Sequence, residues 1–60
     1  MQTHRIEYRI SGDLSGGWQV FRENTSLGIL YDLVDAIGLA TQLAEREATQ
    51  GSTITKVVLD

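Results

Sequence analysis

Few side chains in this chain have the types and spacing that catalysis or metal binding requires. His4 is the single histidine and there is no cysteine, which excludes cysteine nucleophiles, disulfides, thiolate zinc sites and histidine clusters. No serine or threonine lies in a nucleophile-elbow context. Asp32 and Asp35 are three residues apart and could ligate a hard cation, but helix capping and dipole complementarity explain them fully. The sequence therefore predicts no catalytic residue, no metal and no cofactor, and a solvent-facing His4 on a strand.

The stretch SGDLSGG, residues 11–17, is the one segment whose glycine content suggests phosphate binding. It lacks the lysine of a P-loop, and it precedes a predicted strand rather than a helix. Glycine, aspartate and serine are the residues of tight turns. The segment is therefore predicted to be a hairpin turn, directly followed by the chain's single tryptophan, Trp18.

Two predicted strands flank this turn, and together they place an aromatic residue, Phe21, on the same face as two arginines. Side chains alternate in polarity along residues 3–10 and again along residues 18–23, which indicates half-buried strands. Pairing Ile10 with Trp18 puts the apolar side chains on one face and sets Arg5 against Glu23. The other face then carries Arg5, Arg9, Gln19 and Phe21, which is typical of a stacking platform for single-stranded nucleic acid.

Two features argue against that nucleic-acid interpretation. In the predicted register Glu7 lies across from Phe21, and the chain has eight acidic against five basic residues, a formal net charge of −3. A contact surface for protein, or a surface with no special role, is the preferred interpretation of this face. The nucleic-acid face formed by Arg5, Arg9 and Phe21 remains the alternative.

The clearest predicted element is an amphipathic helix over residues 33–50. Asp32 is its predicted N-cap, and Gly51 occupies the C′ position. Leu39 lies outside the apolar stripe on the polar flank, which suggests that something contacts that flank. Within one half of the helix fall the apolar residues Leu33, Val34, Ala36, Ile37, Ala40, Leu43, Ala44 and Ala48. Glu47 falls in the same arc and is expected to reach water near the helix end.

The closing segment, residues 52–60, predicts a strand that carries apolar residues on both faces, as buried or interfacial strands do. Residues 27–31 form either a short third strand or an extended approach to the helix, weakened as a strand by Gly28. The order β-β-(β)-α-β predicts a single two-layer α+β domain over residues 1–60. We expect its core to contain Trp18 as the anchor, with Tyr8, Val20, Ile37, Ala40 and Leu43.

Sixty residues bury only about 60% of the surface that the unfolded chain exposes, so a partner subunit is a common source of added stability. The sequence predicts a homodimer or a module for another protein, with no small-molecule substrate. It shows no membrane-spanning segment and no signal peptide, which favours a cytoplasmic location. The candidate interface residues are Leu27, Ile29, Leu39, Val57 and Leu59.

Several packing positions resemble those of small bacterial proteins catalogued as domain of unknown function 2188. The similarity runs over residues 15–59 and comprises a Gly-Gly-Trp-x-Val strand, a helix of the form x-Ala-Ile-x-x-Ala-x-x-Leu-Ala and a closing strand. The matching residues are Gly16, Gly17, Trp18, Val20, Ala36, Ile37, Ala40, Leu43 and Ala44. This resemblance implies a fold but no activity.

A second and looser resemblance is to the N-terminal domain of HicB-like antitoxins, through the Gly-Gly-aromatic strand and the helix with Asp35-Ala36-Ile37. Those proteins bind a toxin partner, so the resemblance implies partner binding. Their Pro-Asp-x-Pro-Gly segment is absent from this chain.

Overall fold

The computed structural model describes residues 4–51 and 53–60 of the chain. Three strands come first: β1 (His4–Gly12), β2 (Trp18–Arg22) and β3 (Thr25–Leu30). One helix, α1 (Leu33–Thr49), and a last strand, β4 (Thr53–Leu59), complete the described chain. Thr3 and Ser52, with which two of the predicted strands begin, lie outside the described residues.

The strands form one sheet in the order β3-β2-β1-β4, and α1 packs on one of its faces. The β1–β2 and β2–β3 pairs are antiparallel, whereas β4 lies parallel to β1 at the edge of the sheet. The predicted two-layer α+β class is thereby confirmed. We call the face that α1 covers the helix face, and the opposite face the open face.

The hairpin register differs by two residues from the predicted one. Ile10 pairs with Val20, and Trp18 pairs with Gly12 rather than with Ile10. Glu23 does not oppose Arg5; its amide donates to the carbonyl of Glu7 at 2.8 Å. The connecting loop is shorter than predicted because β1 continues to Gly12. A shift of two residues preserves the side-chain alternation, so every residue of the hairpin keeps its predicted face.

The two glycines before Trp18 each have a structural reason. Gly16 has a φ of +101°, which L side chains rarely adopt. A Cβ on Gly17 would lie 2.7 Å from Ile29 Cγ2 and 3.0 Å from the carbonyl oxygen of Leu30. The turn and the close approach of β3 therefore both need glycine at this point.

The third strand is present and begins earlier than residue 27. Glu23 and Asn24 form the turn that precedes it, and Glu23 has a φ of 56°. The β2–β3 register shifts between Val20 and Phe21, which is a β-bulge. A bulge at a sheet edge disrupts the ladder and twists the edge away from further pairing.

The helix contacts the sheet through alanines. Ala36, Ala40 and Ala44 are its buried residues and lie four residues apart on one face. Asp32 occupies the predicted N-cap position, but its side chain makes no capping hydrogen bond. Gly51 follows the C-cap Gln50 and does not adopt the left-handed conformation of an αL cap. Small side chains bring the helix axis close to the strands.

The buried core consists of Tyr8, Ile10 and Val20 from the sheet and of the three helix alanines. Trp18 and Leu43 pack at its border and are half-buried, so Trp18 is not the central anchor that the sequence suggested. Ile37 is 39% exposed and does not belong to the core. Leu39 instead packs against the core, so the helix buries a different flank from the one predicted.

Within the described residues, no helix has both the length and the apolar character that a membrane span requires.

Candidate functional site

The open face collects the arginine and aromatic side chains that the sequence placed together. Strand alternation and the observed registers put Arg5, Glu7 and Arg9 of β1 on this face. From β2 and β4 it receives Gln19, Phe21, Ile54, Lys56 and Val58. Three of the five basic residues of the chain therefore lie here. Within the strands Glu7 is the one acidic residue on this face. The face therefore carries a net positive charge, opposite in sign to the net charge of the whole chain.

Arg9 and Phe21 are directly paired across β1 and β2. The guanidinium carbon of Arg9 lies 4.9 Å from the centroid of the Phe21 ring, within the range of a cation–π contact. Within the part of the chain that the structure describes, the buried Arg9 Nε has no hydrogen-bond partner. The predicted pairing of Phe21 with Glu7 is therefore wrong. An arginine rather than a carboxylate covers the ring, which removes one argument against anion binding.

A shallow depression of about 390 Å³ lies along β1 and β4, and most of its lining residues are on the open face. Its lining includes Arg5, Glu7, Ile54 and Lys56, with Glu7 and Lys56 on adjacent positions of β1 and β4. The depression combines two cationic side chains with one carboxylate and an apolar wall. The net charge of this lining is positive, which favours an anionic over a cationic ligand.

The candidate interface residues fall into three separate places. Leu27 and Ile29 lie on β3, at one edge of the sheet, and are 42% and 47% exposed. Val57 and Leu59 lie on β4, at the other edge. Leu39 packs against the core and contributes little to either edge. These five residues therefore do not form one surface.

A second group of exposed apolar residues joins Val57 and Leu59. Val57 and Leu59 pair with Tyr8 and Ile10, so their side chains point to the helix face. Crossovers between parallel strands are right-handed in nearly all proteins, and from this rule we infer that the helix flank bearing Val34 and Ile37 faces β4. We call the four residues Val34, Ile37, Val57 and Leu59 the β4 patch; their exposed fractions are 79%, 39%, 39% and 55%. Val34 and Ile37 both belong to the predicted apolar half of the helix, and Ile37 was expected in the core.

The outer edge of β4 presents a regular row of backbone groups. The amide of Asp60 donates to the carbonyl of Ile10 at 2.8 Å, so Val58 and Asp60 direct their backbone groups toward β1. Val57 and Leu59 consequently direct theirs outward. In the described chain no strand pairs with this edge. This outer edge of the seven-residue strand β4 has no partner among the described residues and lacks the bulge that interrupts β3.

A polar network that sequence analysis missed joins α1 to the sheet. Glu47 accepts hydrogen bonds from the Tyr8 hydroxyl at 2.5 Å and from Arg22 Nε at 3.1 Å. Arg22 Nη2 lies 2.5 Å from Glu47 Oε2, which makes the Arg–Glu pair bidentate. The Glu47 side chain is 22% exposed and so reaches water in part, while Tyr8 and Arg22 hold its carboxylate against the sheet. The signal in the sequence that could have indicated this network is the position of Glu47 within the apolar arc of the predicted helix.

This network shifts the pKa of all three of its members, and the hydrogen bond to Glu47 raises the pKa of the Arg22 guanidinium. The hydrogen bonds from Arg22, and then from Tyr8, lower the pKa of Glu47 below its ordinary value of 4.5. Burial, followed by the hydrogen bond to Glu47, raises the pKa of the Tyr8 hydroxyl above 10.0. All three shifts fit a structural tie between α1, β1 and β2.

We expect Glu47→Gln to flatten the acid side of the stability profile. Because the folded-state pKa of Glu47 lies below the unfolded one, its contribution is complete above the unfolded value and is lost as pH falls through the folded value. Thermal melts at a series of pH values from about 6 to about 2.5 test this. The wild-type midpoint should fall more steeply than that of Glu47→Gln. Glu45→Gln, which changes an exposed residue nearby on α1, should keep the wild-type slope; equal slopes for all three proteins would contradict the assignment.

The other chemistry-bearing residues remain apart. His4 is exposed at the start of β1, in agreement with its predicted position. The loop between β1 and β2 uses its own polar groups: Asp13 Oδ2 accepts hydrogen bonds from the amide and hydroxyl of Ser15, and the Asp13 amide donates to Gly17 O. It is a hairpin turn, as predicted. Among the described residues, no three histidine or acidic side chains lie close enough together to hold a metal ion.

Comparison of this chain with protein-family models, curated proteins and solved structures yields no match.

Proposed function

We propose that this protein is a non-enzymatic interaction module that forms a homodimer through strand β4. The observation that carries the proposal is the unpaired, regular edge of β4 beside the exposed β4 patch. Edge strands with free backbone groups pair readily with another chain, and natural monomers protect them. On β3 the bulge protects the edge from pairing with another chain, whereas on β4 the charged side chain of Lys56 is the one feature of this kind.

The surface area of the chain supports a second copy as the occupant. The accessible surface is 4338 Å², whereas a folded monomer of 6.6 kDa exposes ~3900 Å² on average. Among the described residues the buried core has six members, three of them alanine. A standard interface covers ~800 Å² per partner, and the β4 patch together with the strand edge is the exposed apolar surface from which such an interface would be built. Self-association therefore adds the apolar burial that this small core lacks.

Charge favours a two-fold axis at Val58 over one at Lys56. If two β4 strands run antiparallel about a two-fold axis at Val58, Lys56 faces Asp60 of the second copy. Val57 then lies opposite Leu59 of the second copy, and the outward backbone groups of both residues are paired. A two-fold axis at Lys56 would instead set two lysines opposite each other, which is unfavourable. The preferred dimer is a continuous eight-stranded sheet with both helices on one face.

Leu59→Glu is expected to convert the dimer into a monomer, because it buries a carboxylate in the interface. Light scattering over a concentration series measures the mass directly. Leu27→Glu is the matched control: it makes the same change at an exposed position on the opposite edge, and it should stay dimeric. The wild-type melting temperature should also rise with protein concentration, as it does for dimers whose folding and association are coupled.

Two results would overturn this proposal. A wild-type protein that remains monomeric at every concentration has no interface on β4. Dissociation by Leu27→Glu, with Leu59→Glu still dimeric, would locate the interface on β3. Should Leu59→Glu fail to fold, the concentration dependence of wild-type melting decides the question.

A further inference from the structure

We infer that the open face of the sheet binds single-stranded nucleic acid along a row of side chains that crosses the dimer. The row consists of Phe21, Arg9 and Val58 of each protomer, and we call it the transverse row. Its two-copy form rests on the proposed dimer. Within one protomer it rests on the observed register alone, in which Arg9 pairs with Phe21 on one side and with Val58 on the other.

The proposed dimer makes this row continuous. A two-fold axis at Val58 lies perpendicular to the sheet, so both open faces point to the same side. Val58 of one copy then neighbours Val58 of the other, and the order across the sheet is Phe21, Arg9, Val58 and the same residues reversed. Neighbouring strands are about 4.8 Å apart, which makes the row about 24 Å long and separates the two Arg9 positions by about 14 Å.

The chemistry of the row suits bases and phosphates together. The guanidinium carbon of Arg9 lies over the Phe21 ring, 4.9 Å from its centroid, and the pair thus joins a cation to an aromatic ring, the two kinds of group on which bases stack. Arg5 lies two strand positions beyond Glu7 on the same face and can neutralise a phosphate. Lys56 is engaged by Asp60 of the second copy in the preferred register, so the arginines carry the attraction.

The shape of the face selects a single strand rather than a duplex. The row lies on the strands of a sheet, and the described chain offers no element beside it that would enter a groove. A single strand exposes its bases for stacking, which a paired duplex does not. An acidic protein segment would satisfy the arginines but would leave the stacking capacity of the Arg9–Phe21 pair unused.

Fluorescence anisotropy with a labelled 20-nucleotide oligo-dT tests this inference, over a salt series and with the wild-type protein. Arg9→Gln should weaken binding about tenfold or more, since it removes both stack and charge. It should also reduce the slope of log K against log salt by about 1.4 in the dimer, or about 0.7 in a monomer. Arg46→Gln removes the same charge from an exposed position on α1 and should change the affinity less than twofold.

Arg9→Lys keeps the charge and separates the two contributions. It should retain the wild-type salt slope while losing affinity, because lysine cannot present a planar group for stacking. This variant also decides the case if Arg9→Gln fails to fold. Equal losses in Arg9→Gln and Arg46→Gln would overturn the inference, as would oligo-dT binding without salt dependence.

The remaining outcomes separate this inference from the proposed dimer. Binding of labelled polyglutamate with no binding of oligo-dT would overturn the inference in favour of an acidic protein partner. A dimer that binds neither probe would overturn it and leave the dimer intact. Arg9-dependent binding by a monomeric wild-type protein would support the one-protomer platform and refute the two-copy row.

Discussion

Replacing Ile10 by alanine is expected to abolish cooperative unfolding of this protein. Ile10 is fully buried beneath α1, and with Val20 it is the largest fully buried side chain. Ile→Ala substitutions in cores cost about 2–5 kcal/mol, and the single core of so small a domain rarely supplies more than 3–5 kcal/mol. The substitution therefore removes most of the stability that the core provides.

Circular dichroism melts at low protein concentration measure this loss. Ile29→Ala is the matched control, because it deletes the same atoms from a side chain that is 47% exposed on β3. It should leave a cooperative transition only a few degrees below that of the wild type. If Ile10→Ala melts as cooperatively and at nearly the same temperature as Ile29→Ala, the core described above is not the one that stabilises the protein.

The sequence predicted the faces of the strands well and their register poorly. Alternation of polarity assigned Tyr8, Val20, Arg9 and Phe21 to their observed sides, because one buried face strongly constrains a strand. The register depends instead on where the turn closes. Residues 11–17 contain enough glycine and serine to close in more than one place, and pairings that differ by two residues keep the same faces. Only the tertiary structure could distinguish them.

The residues of the candidate site were predicted from the sequence, but their contacts were not, because contacts between strands also depend on the register. Arg5, Arg9 and Phe21 follow from alternation alone, but the Arg9–Phe21 contact follows from the register and was missed. On the helix, both flanks of the apolar arc carry large residues, Ile37 on one and Leu39 on the other. The amphipathic pattern cannot decide which flank packs against the sheet. The structure buries Leu39 and leaves Ile37 exposed beside β4, and this choice creates the β4 patch.

The alanine face of α1 leads to the second prediction, that Ala40→Leu destabilises the protein although it adds apolar atoms. Ala40 is fully buried, with Ala36 and Ala44 one turn away on either side. A leucine there meets the strands before its side chain can extend, and overpacking of this kind typically costs about 1–3 kcal/mol. In a domain of this size each kcal/mol lowers the melting temperature by about 4–8 °C.

Gln42→Leu provides the control for this substitution, because it adds leucine at an exposed position on the outer side of the same helix. Leucine has a high helix propensity, so Gln42→Leu should melt at or near the wild-type temperature. A lower melting temperature for Ala40→Leu alone would then arise from the helix–sheet spacing and not from the helix itself. If Ala40→Leu were as stable as Gln42→Leu, α1 would have room to move away from the sheet. The close approach inferred from its alanines would then be wrong.

The outcome also bears on the proposed dimer, since a helix that moves outward would take Val34 and Ile37 away from Val57 and Leu59 and divide the β4 patch.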